Sequence, residues 1–270
     1  MTAISVACLD MAGTTVRDDG VVMDAFRAAV GDAGPDAMEY VRATMGQSKI
    51  EVFRHLLGDE NAAQTANTAF EDAYGVAVRA GAVEPLPGAE DVLRACRSAG
   101  VRVCLSTGFS PVTRDAILDA LGWRPLADLV LSPADAGRGR PWPDMPLTAL
   151  LRLGGGAVSE LAVVGDTPSD VESGLRAGAG LVAGVLTGSA TRDDLAKAGA
   201  PVILDDITGL LGYLLSTGHV DNSVRFSLLA VSDASQVAGV LWIAGSRQPP
   251  DRQRCPVDNT RCMWTVRTAI

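Results

Sequence analysis

The chain has 270 residues, of which 47% are hydrophobic, 20% charged and only 4% aromatic, with a formal net charge of -9. Such a length holds one domain with a sizeable insertion or two modest domains, and the apolar content excludes an intrinsically disordered chain. The acidic balance argues against nucleic-acid or anionic-membrane partners, which require a basic face, but an anionic small molecule needs only a local cluster of cations, backbone N–H groups or a divalent metal.

The first predicted element is the apolar run Ile4-Ser5-Val6-Ala7-Cys8-Leu9, a buried strand that ends on Asp10 and is followed by Gly13-Thr14-Thr15. A carboxylate at a strand's C-terminal tip faces the ligand crevice of an open α/β sheet. A turn rich in free backbone N–H groups beside it suits a phosphate. Gly13 and Thr14 are therefore candidate substrate-binding residues. Strand-Asp-turn is also ordinary turn chemistry, so the assignment depends on the other strand tips.

Helical spacing follows over residues 21–30, closed by 31–35, then over about 37–45, 49–57 and 60–82, with no strand among them. This block ends at Pro85-Leu86-Pro87-Gly88, a stretch suited to a hinge. Beyond it, helices at about 88–99, 110–121, 144–153, 169–177 and 191–198 alternate with strands at 101–105, 128–131, 161–164, 181–186 and 202–204. Repeated strand-helix units imply a parallel sheet covered on both faces, so the helical block is an insertion in an α/β core. The expected organisation is a core of residues 1–18 and 84–215, a helical domain of 19–83, and an extension of 216–270 to which no role is assigned.

Cys8, Cys96, Cys104, Cys255 and Cys262 show no CxxC spacing, and the first three sit in apolar or helical stretches that suit small buried thiols. The start lacks the basic and apolar regions of a signal peptide, and no apolar run is long enough for a membrane helix. A soluble, cytoplasmic protein is the default expectation.

Three more sites fall at or just beyond strand tips. Val103-Cys104-Leu105-Ser106-Thr107-Gly108 ends in hydroxyls and a glycine, groups that hold a phosphoryl oxygen or simply form a turn. In Gly139-Arg140-Pro141-Trp142-Pro143-Asp144, prolines stiffen the chain beside one cation, and arginine forks to phosphate oxygens. Val163-Val164-Gly165-Asp166-Thr167-Pro168-Ser169-Asp170 brings two carboxylates together at a helix start, a hard-oxygen set suited to Mg²⁺, although Asp170 alone also suits a helix dipole. Parallel neighbouring strands would bring all four sites to one sheet edge.

In this order and spacing, the four motifs resemble the haloacid dehalogenase superfamily over about residues 4–215. The resemblance implies a Rossmann-like parallel-sheet core with an inserted helical cap of the C1 type, and an aspartyl-phosphate intermediate. Asp10 matches the nucleophile, and Thr107 the second-motif hydroxyl, with Ser106 as the less favoured register. Arg140 stands where most members have lysine, while Asp166 and Asp170 match the metal-binding acids. Mg²⁺ would be held by Asp10, Asp166 and the Ala12 carbonyl, with Asp170 orienting its water shell or pairing with Arg140.

Typical phosphatases of the superfamily carry an aspartate two residues after the nucleophile to protonate the leaving alkoxide; here that position is Ala12. Loss of a positioned general acid costs about 10²- to 10⁴-fold, so the pattern asks for another leaving group. Ala12 and Arg140 are features of the phosphonatase branch, in which a cap lysine activates a carbon leaving group as a Schiff base. The segment Met45-Gly46-Gln47-Ser48-Lys49-Ile50 resembles that branch's Met-Gly-x-x-Lys-Ile, making Lys49 the catalytic amine with Met45 packed nearby and Gly108 beside the substrate. A lone lysine beginning an amphipathic helix is more often solvated surface; Ala12 and the segment match together favour the catalytic reading.

This sequence departs from the branch at Met11, where a tryptophan is usual, at Val52, where a histidine is usual, and at Phe109, where a tyrosine is usual. The expected activity is Mg²⁺-dependent cleavage of phosphonoacetaldehyde or a related small phosphonate. The alternatives are a phosphatase of a small metabolite with Lys49 as a binding cation, and a non-catalytic binding protein on the same fold. No nucleic-acid or membrane partner is expected, and a homodimer is a compatible assembly.

Overall fold

The computed structural model describes residues 3–31 and 34–216, so the extension expected over 216–270 lies, beyond its first residue, outside the described residues. All five residues of β1 (Val6–Asp10) are buried, as a strand covered on both faces requires. With β2 (Arg102–Ser106), β3 (Leu129–Leu131), β4 (Leu161–Gly165), β5 (Leu181–Val185) and β6 (Val202–Leu204) it forms one sheet in the order β3-β2-β1-β4-β5-β6. Every pairing is parallel. Strand order reverses at β1, which places the ligand crevice at the C-terminal ends of β1, β2 and β4. The register sets Asp10 opposite Ser106 and Cys8 opposite Cys104.

Between β1 and the rest of the sheet run α1 (Val21–Val30), α2 (Gly34–Ala43), α3 (Lys49–Leu57) and α4 (Glu60–Arg79), with no strand among the described residues. Their shared core is aromatic. Phe26 of α1 lies 5.0 Å from Phe53 of α3 and 4.8 Å from Phe70 of α4, between ring centroids. Phe109, from the loop after β2, inserts into this cluster, 4.7 Å from Tyr74 and 6.2 Å from Phe70.

Around the sheet pack α5 (Ala89–Ser98), α6 (Pro111–Leu121), α7 (Pro133–Ala136), α8 (Asp144–Arg152), α9 (Pro168–Ala177), α10 (Arg192–Lys197) and α11 (Leu210–Ser216). Side chains alternate across the sheet. Ala7, Leu9, Val103, Leu105 and Val164 meet Val92, Leu93 and Cys96 of α5 on one face. Val6, Cys8, Cys104 and Val163 meet Met145, Ala149 and Leu150 of α8 on the other. Full burial of each large apolar side chain contributes about 1.5–3 kcal/mol.

Several boundaries differ from those expected. Helix α2 begins at Gly34, not near 37, and Pro35, expected to end the preceding helix, sits in its first turn, where a missing N–H is no loss. It stops at Ala43, because residues 44–47 turn through Gly46 at φ 83°. Helix α4 ends at Arg79, before Gly81 at φ 79°. Two α-helices lie outside the expected set: α7, a single turn held by the Ser132–Asp135 capping box, and α11, whose Leu210, Leu211 and Leu214 complete the core.

Candidate active site

The tips of β1, β2 and β4 surround a cavity of about 300 Å³ reached by Asp10, Ala12, Thr107, Gly108, Arg140 and Asp166 from the core, and by Met45 and Lys49 from the helical insertion. Arg140, buried, joins the motifs. Its Nη1 lies 2.6 Å from Asp10 Oδ1 and its Nε 2.8 Å from Asp170 Oδ1. Nη2 donates to Ser106 Oγ at 2.8 Å, and Nη1 also donates to the Gly46 carbonyl at 3.3 Å. Only a planar fork serves partners in four directions; a lysine ammonium would hold fewer of them.

Asp166 is held from two sides. Its Oδ2 accepts the Ser189 N–H at 2.8 Å and the Ser189 hydroxyl at 3.3 Å, and Oδ1 accepts the Thr14 hydroxyl at 3.4 Å. Close approach requires glycine here: a Cβ on Gly188 would lie 1.9 Å from Asp166 Oδ2, and one on Gly13, at φ 86°, 2.6 Å from it. Asp170 is both a salt-bridge partner and a cap, since its Oδ2 accepts the Thr167 N–H at 3.1 Å and the Thr167 hydroxyl at 2.5 Å. The two hydroxyls after β2 divide, with Ser106 taken by Arg140 and Thr107 on the cavity wall, where its Oγ1 accepts the Phe109 N–H at 3.2 Å.

The turn after Asp10 is not the array of free N–H groups that its composition suggests. Met11 donates to Ser106, Gly13 to Val16, and Thr14, Thr15 and Val16 all to the Met11 carbonyl. The tight turn satisfies its own backbone, and among the described residues the N–H groups of Ala12 and Gly108 donate to no protein acceptor. Thr14's hydroxyl likewise faces Asp166, so its contact in the structure is with a candidate metal ligand.

Asp10, Asp166 and Asp170 each offer a carboxylate oxygen within 4.8 Å of the others, and all three are buried. Burial, with Asp170 and Asp166 as like-charged neighbours, pushes the Asp10 carboxyl well above its usual range against the pull of Arg140. Burial and then Asp170 push Asp166 up to about 7. Burial opposes the Arg140 charge, but Asp10 and Asp170 more than offset this and hold its pKa above the ordinary value. Hard oxygen donors with more negative charge than one guanidinium balances fit a hard divalent cation.

Lys49, the first residue of α3, is buried at 7% exposure. Its Nζ lies 5.2 Å from the Phe109 ring centre and 5.7 Å from that of Phe26, and donates to the Gln47 carbonyl at 3.4 Å. Burial lowers its pKa to about 8, although Asp10 and Asp18 oppose the shift. The turn before it is seated on the core. The Lys49 N–H donates to the Gly108 carbonyl at 3.4 Å, and a Cβ on Gly46 or Gly108 would strike Thr167 Oγ1 at 2.5 Å or the Gln47 carbonyl at 2.3 Å. Val52 is buried, while His55 stacks on Tyr40, with ring centres 4.1 Å apart, beside a neighbouring cleft and away from the Asp10 cavity.

Other residues of the cavity were not singled out from sequence. Ser189 and Thr187, whose hydroxyl donates to the Gly13 carbonyl at 2.7 Å, follow β5 and would have emerged from the same strand-tip reasoning applied there. Asp18 and the Phe26 ring carried no such signal, since the first reads as a helix start and the second as core.

The haloacid dehalogenase-like hydrolase family profile matches residues 4–178, and the chain belongs to this family of hydrolases. It is 29% identical over 209 residues to the phosphonoacetaldehyde hydrolase-like protein of Syntrophobacter fumaroxidans, covering 67% of this chain and 72% of that protein. It is 28% identical over 209 residues to the probable phosphatase IndB of Dickeya dadantii, covering 75% of this chain and 90% of the relative. In fold it resembles the phosphonoacetaldehyde hydrolase-like protein of Oleispira antarctica, with a TM-score of 0.68 at 24% identity over 79% of this chain and 92% of the other. No helix among the described residues is long and apolar enough to cross a membrane.

Proposed function

We propose that this hydrolase splits the P–C bond of phosphonoacetaldehyde, or of a related small phosphonate aldehyde, by combining an Asp10 nucleophile with a Schiff base on Lys49. The observation that carries this reading is a buried lysine amine, lowered to about 8, on the wall of the cavity that contains Asp10, together with Ala12 in the position of a phosphatase's acid. Resemblance to a phosphonoacetaldehyde hydrolase-like protein supports it.

The neutral Lys49 amine attacks the aldehyde carbon, and loss of water leaves an iminium. Asp10 then attacks phosphorus as the P–C bond breaks, and the bonding pair moves into the iminium to give an enamine, so the leaving carbon needs no proton at that moment. Water hydrolyses the aspartyl phosphate, and protonation and hydrolysis of the enamine release the aldehyde and restore Lys49. Arg140, Thr107 and the N–H groups of Ala12 and Gly108 bind the phosphoryl oxygens, worth several kcal/mol of barrier in sites of this kind. Asp10, Asp166 and the Ala12 carbonyl would hold Mg²⁺, with Asp170 fixing Arg140; bound, the ion supplies neutralising charge beside the phosphoryl group. Residues 19–83 serve as a cap that excludes water while Lys49 is engaged.

Borohydride reduction in the presence of phosphonoacetaldehyde tests the reading, with an irreversible adduct expected on the Lys49 peptide and none in Lys49→Arg. The probable phosphatase among the relatives, with Val52 and Phe109 in place of polar groups, favours a second reading in which Lys49 only binds an anion. Turnover of a phosphate ester with no adduct on wild-type Lys49 would select it.

A further inference from the structure

Imine formation needs a group that moves protons at the amine, and neither Val52 nor Phe109 can do so. The structure brings a carboxylate to the same cavity. Asp18, in the loop between β1 and α1, reaches the same cavity as Lys49. One of its oxygens, Oδ1, accepts the Val22 N–H at 3.0 Å, which holds the carboxyl at the start of α1. The other charged or titratable groups bearing on this corner are Lys49 from α3, Asp10 from β1, Asp166 after β4, Arg140, Asp19 beside Asp18, and Tyr74 from α4. Tyr74 is fully buried, its hydroxyl has no hydrogen-bond partner among the described residues, and the charges of Asp18 and Asp10 both bear on it. The apolar rings of Phe26 and Phe109 also lie against the amine, which donates to the Gln47 carbonyl.

Building on the Schiff-base reading above, we infer that Asp18 is the proton carrier of Lys49. Its carboxylate takes a proton from the Lys49 ammonium, freeing the amine to bond to the aldehyde carbon as the carbonyl pair moves to oxygen. After a proton shifts from nitrogen to that oxygen, the Asp18 carboxyl gives its proton to the resulting hydroxyl. The C–O bond breaks, water departs with the pair, and the nitrogen lone pair closes the iminium. Asp18 is left as a carboxylate beside the new positive charge, and the net change is ammonium plus aldehyde to iminium plus water. Burial raises the Asp18 carboxyl and lowers the Lys49 amine, so the two affinities for a proton approach each other, the condition that favours rapid transfer.

Asp18→Asn keeps an oxygen to accept the Val22 N–H but cannot carry the proton. At saturating phosphonoacetaldehyde, its borohydride-trapped adduct should form about 10²-fold more slowly than in wild type. Formate should restore much of the rate to Asp18→Gly, which a purely structural role would not allow. Trapping by Asp18→Asn at the wild-type rate, or no response of Asp18→Gly to formate, would overturn the assignment while leaving the Schiff base intact. No adduct in wild type would instead remove the Lys49 reading, and this one with it.

Discussion

Burying Lys49 opposes its charge, and Asp10 and then Asp18 supply partial compensation. A pKa lowered to about 8 sets an upper limit of about 3 kcal/mol on what removing that charge returns to stability. Lys49→Met should therefore raise the unfolding free energy by about 1–3 kcal/mol near pH 7 while abolishing turnover. The sign follows from proton counting. Below pH 8 the amine is charged in both states and the penalty is complete; between 8 and the unfolded value near 10.5 the unfolded chain binds more protons, so wild-type stability rises with pH. The gap between variant and wild type should close over that window in urea titrations, and a constant gap would show that packing, not charge, separates them. Tyr74→Phe tests a quieter residue: removing a hydroxyl that has no partner should leave stability equal or higher, and a loss above about 1 kcal/mol would reveal a hidden acceptor.

At the scale of elements, the turn between α2 and α3 decides whether Lys49 reaches the cavity of Asp10. Gly46 combines φ 83° with an approach to Thr167 that leaves no room for a Cβ, and its carbonyl accepts from Arg140. Gly46→Ala should cost about 1–3 kcal/mol and lift the turn, seen as faster hydrogen exchange over residues 44–49, a higher KM and a lower kcat. Gly58→Ala, at φ 65° with open space around it, carries the backbone strain alone and should cost about 1 kcal/mol without changing kinetics. Equal kinetic effects in both variants would mean that closure does not depend on this contact. The strand tips of β1, β2 and β4 are legible in the sequence, because a short apolar run followed by Gly, Ser, Thr or Asp marks both the strand and its end. The α2 boundary was not, because Pro35 fits a stop and a first turn equally well.

For the whole molecule, the acidic crevice predicts a coupling between metal, pH and stability. Asp166 rises to about 7 in the fold, so between the unfolded value near 3.8 and 7 the folded state binds more protons. Metal-free protein should accordingly lose stability as pH rises from 5 to 7.5. A bound divalent cation removes the benefit of protonation, so Mg²⁺ should raise the thermal midpoint more at pH 7.5 than at pH 5, a hundredfold excess over Kd stabilising the fold by about 2.7 kcal/mol. Melts in chelator and in Mg²⁺ at both pH values test this, and identical midpoints would argue against a metal among Asp10, Asp166 and Asp170. Chelation should also abolish turnover, with Mg²⁺ restoring it.

By itself the sequence determined the alternation of strands and helices, the helical insertion and the chemistry at the strand tips, because these depend on local periodicity and on residues adjacent in the chain. It also set Lys49 and Ala12 in a pattern that resembles the phosphonatase branch. Only the tertiary structure decided which groups meet. Arg140 bridges Asp10, Asp170, Ser106 and the Gly46 carbonyl; the N–H groups of the first turn are consumed internally; and Asp18, Phe26 and Phe109 converge on Lys49 from separate elements. The physical reason is that burial and long-range electrostatics, which set the Lys49 and Asp166 proton affinities, belong to a three-dimensional neighbourhood that no local pattern encodes.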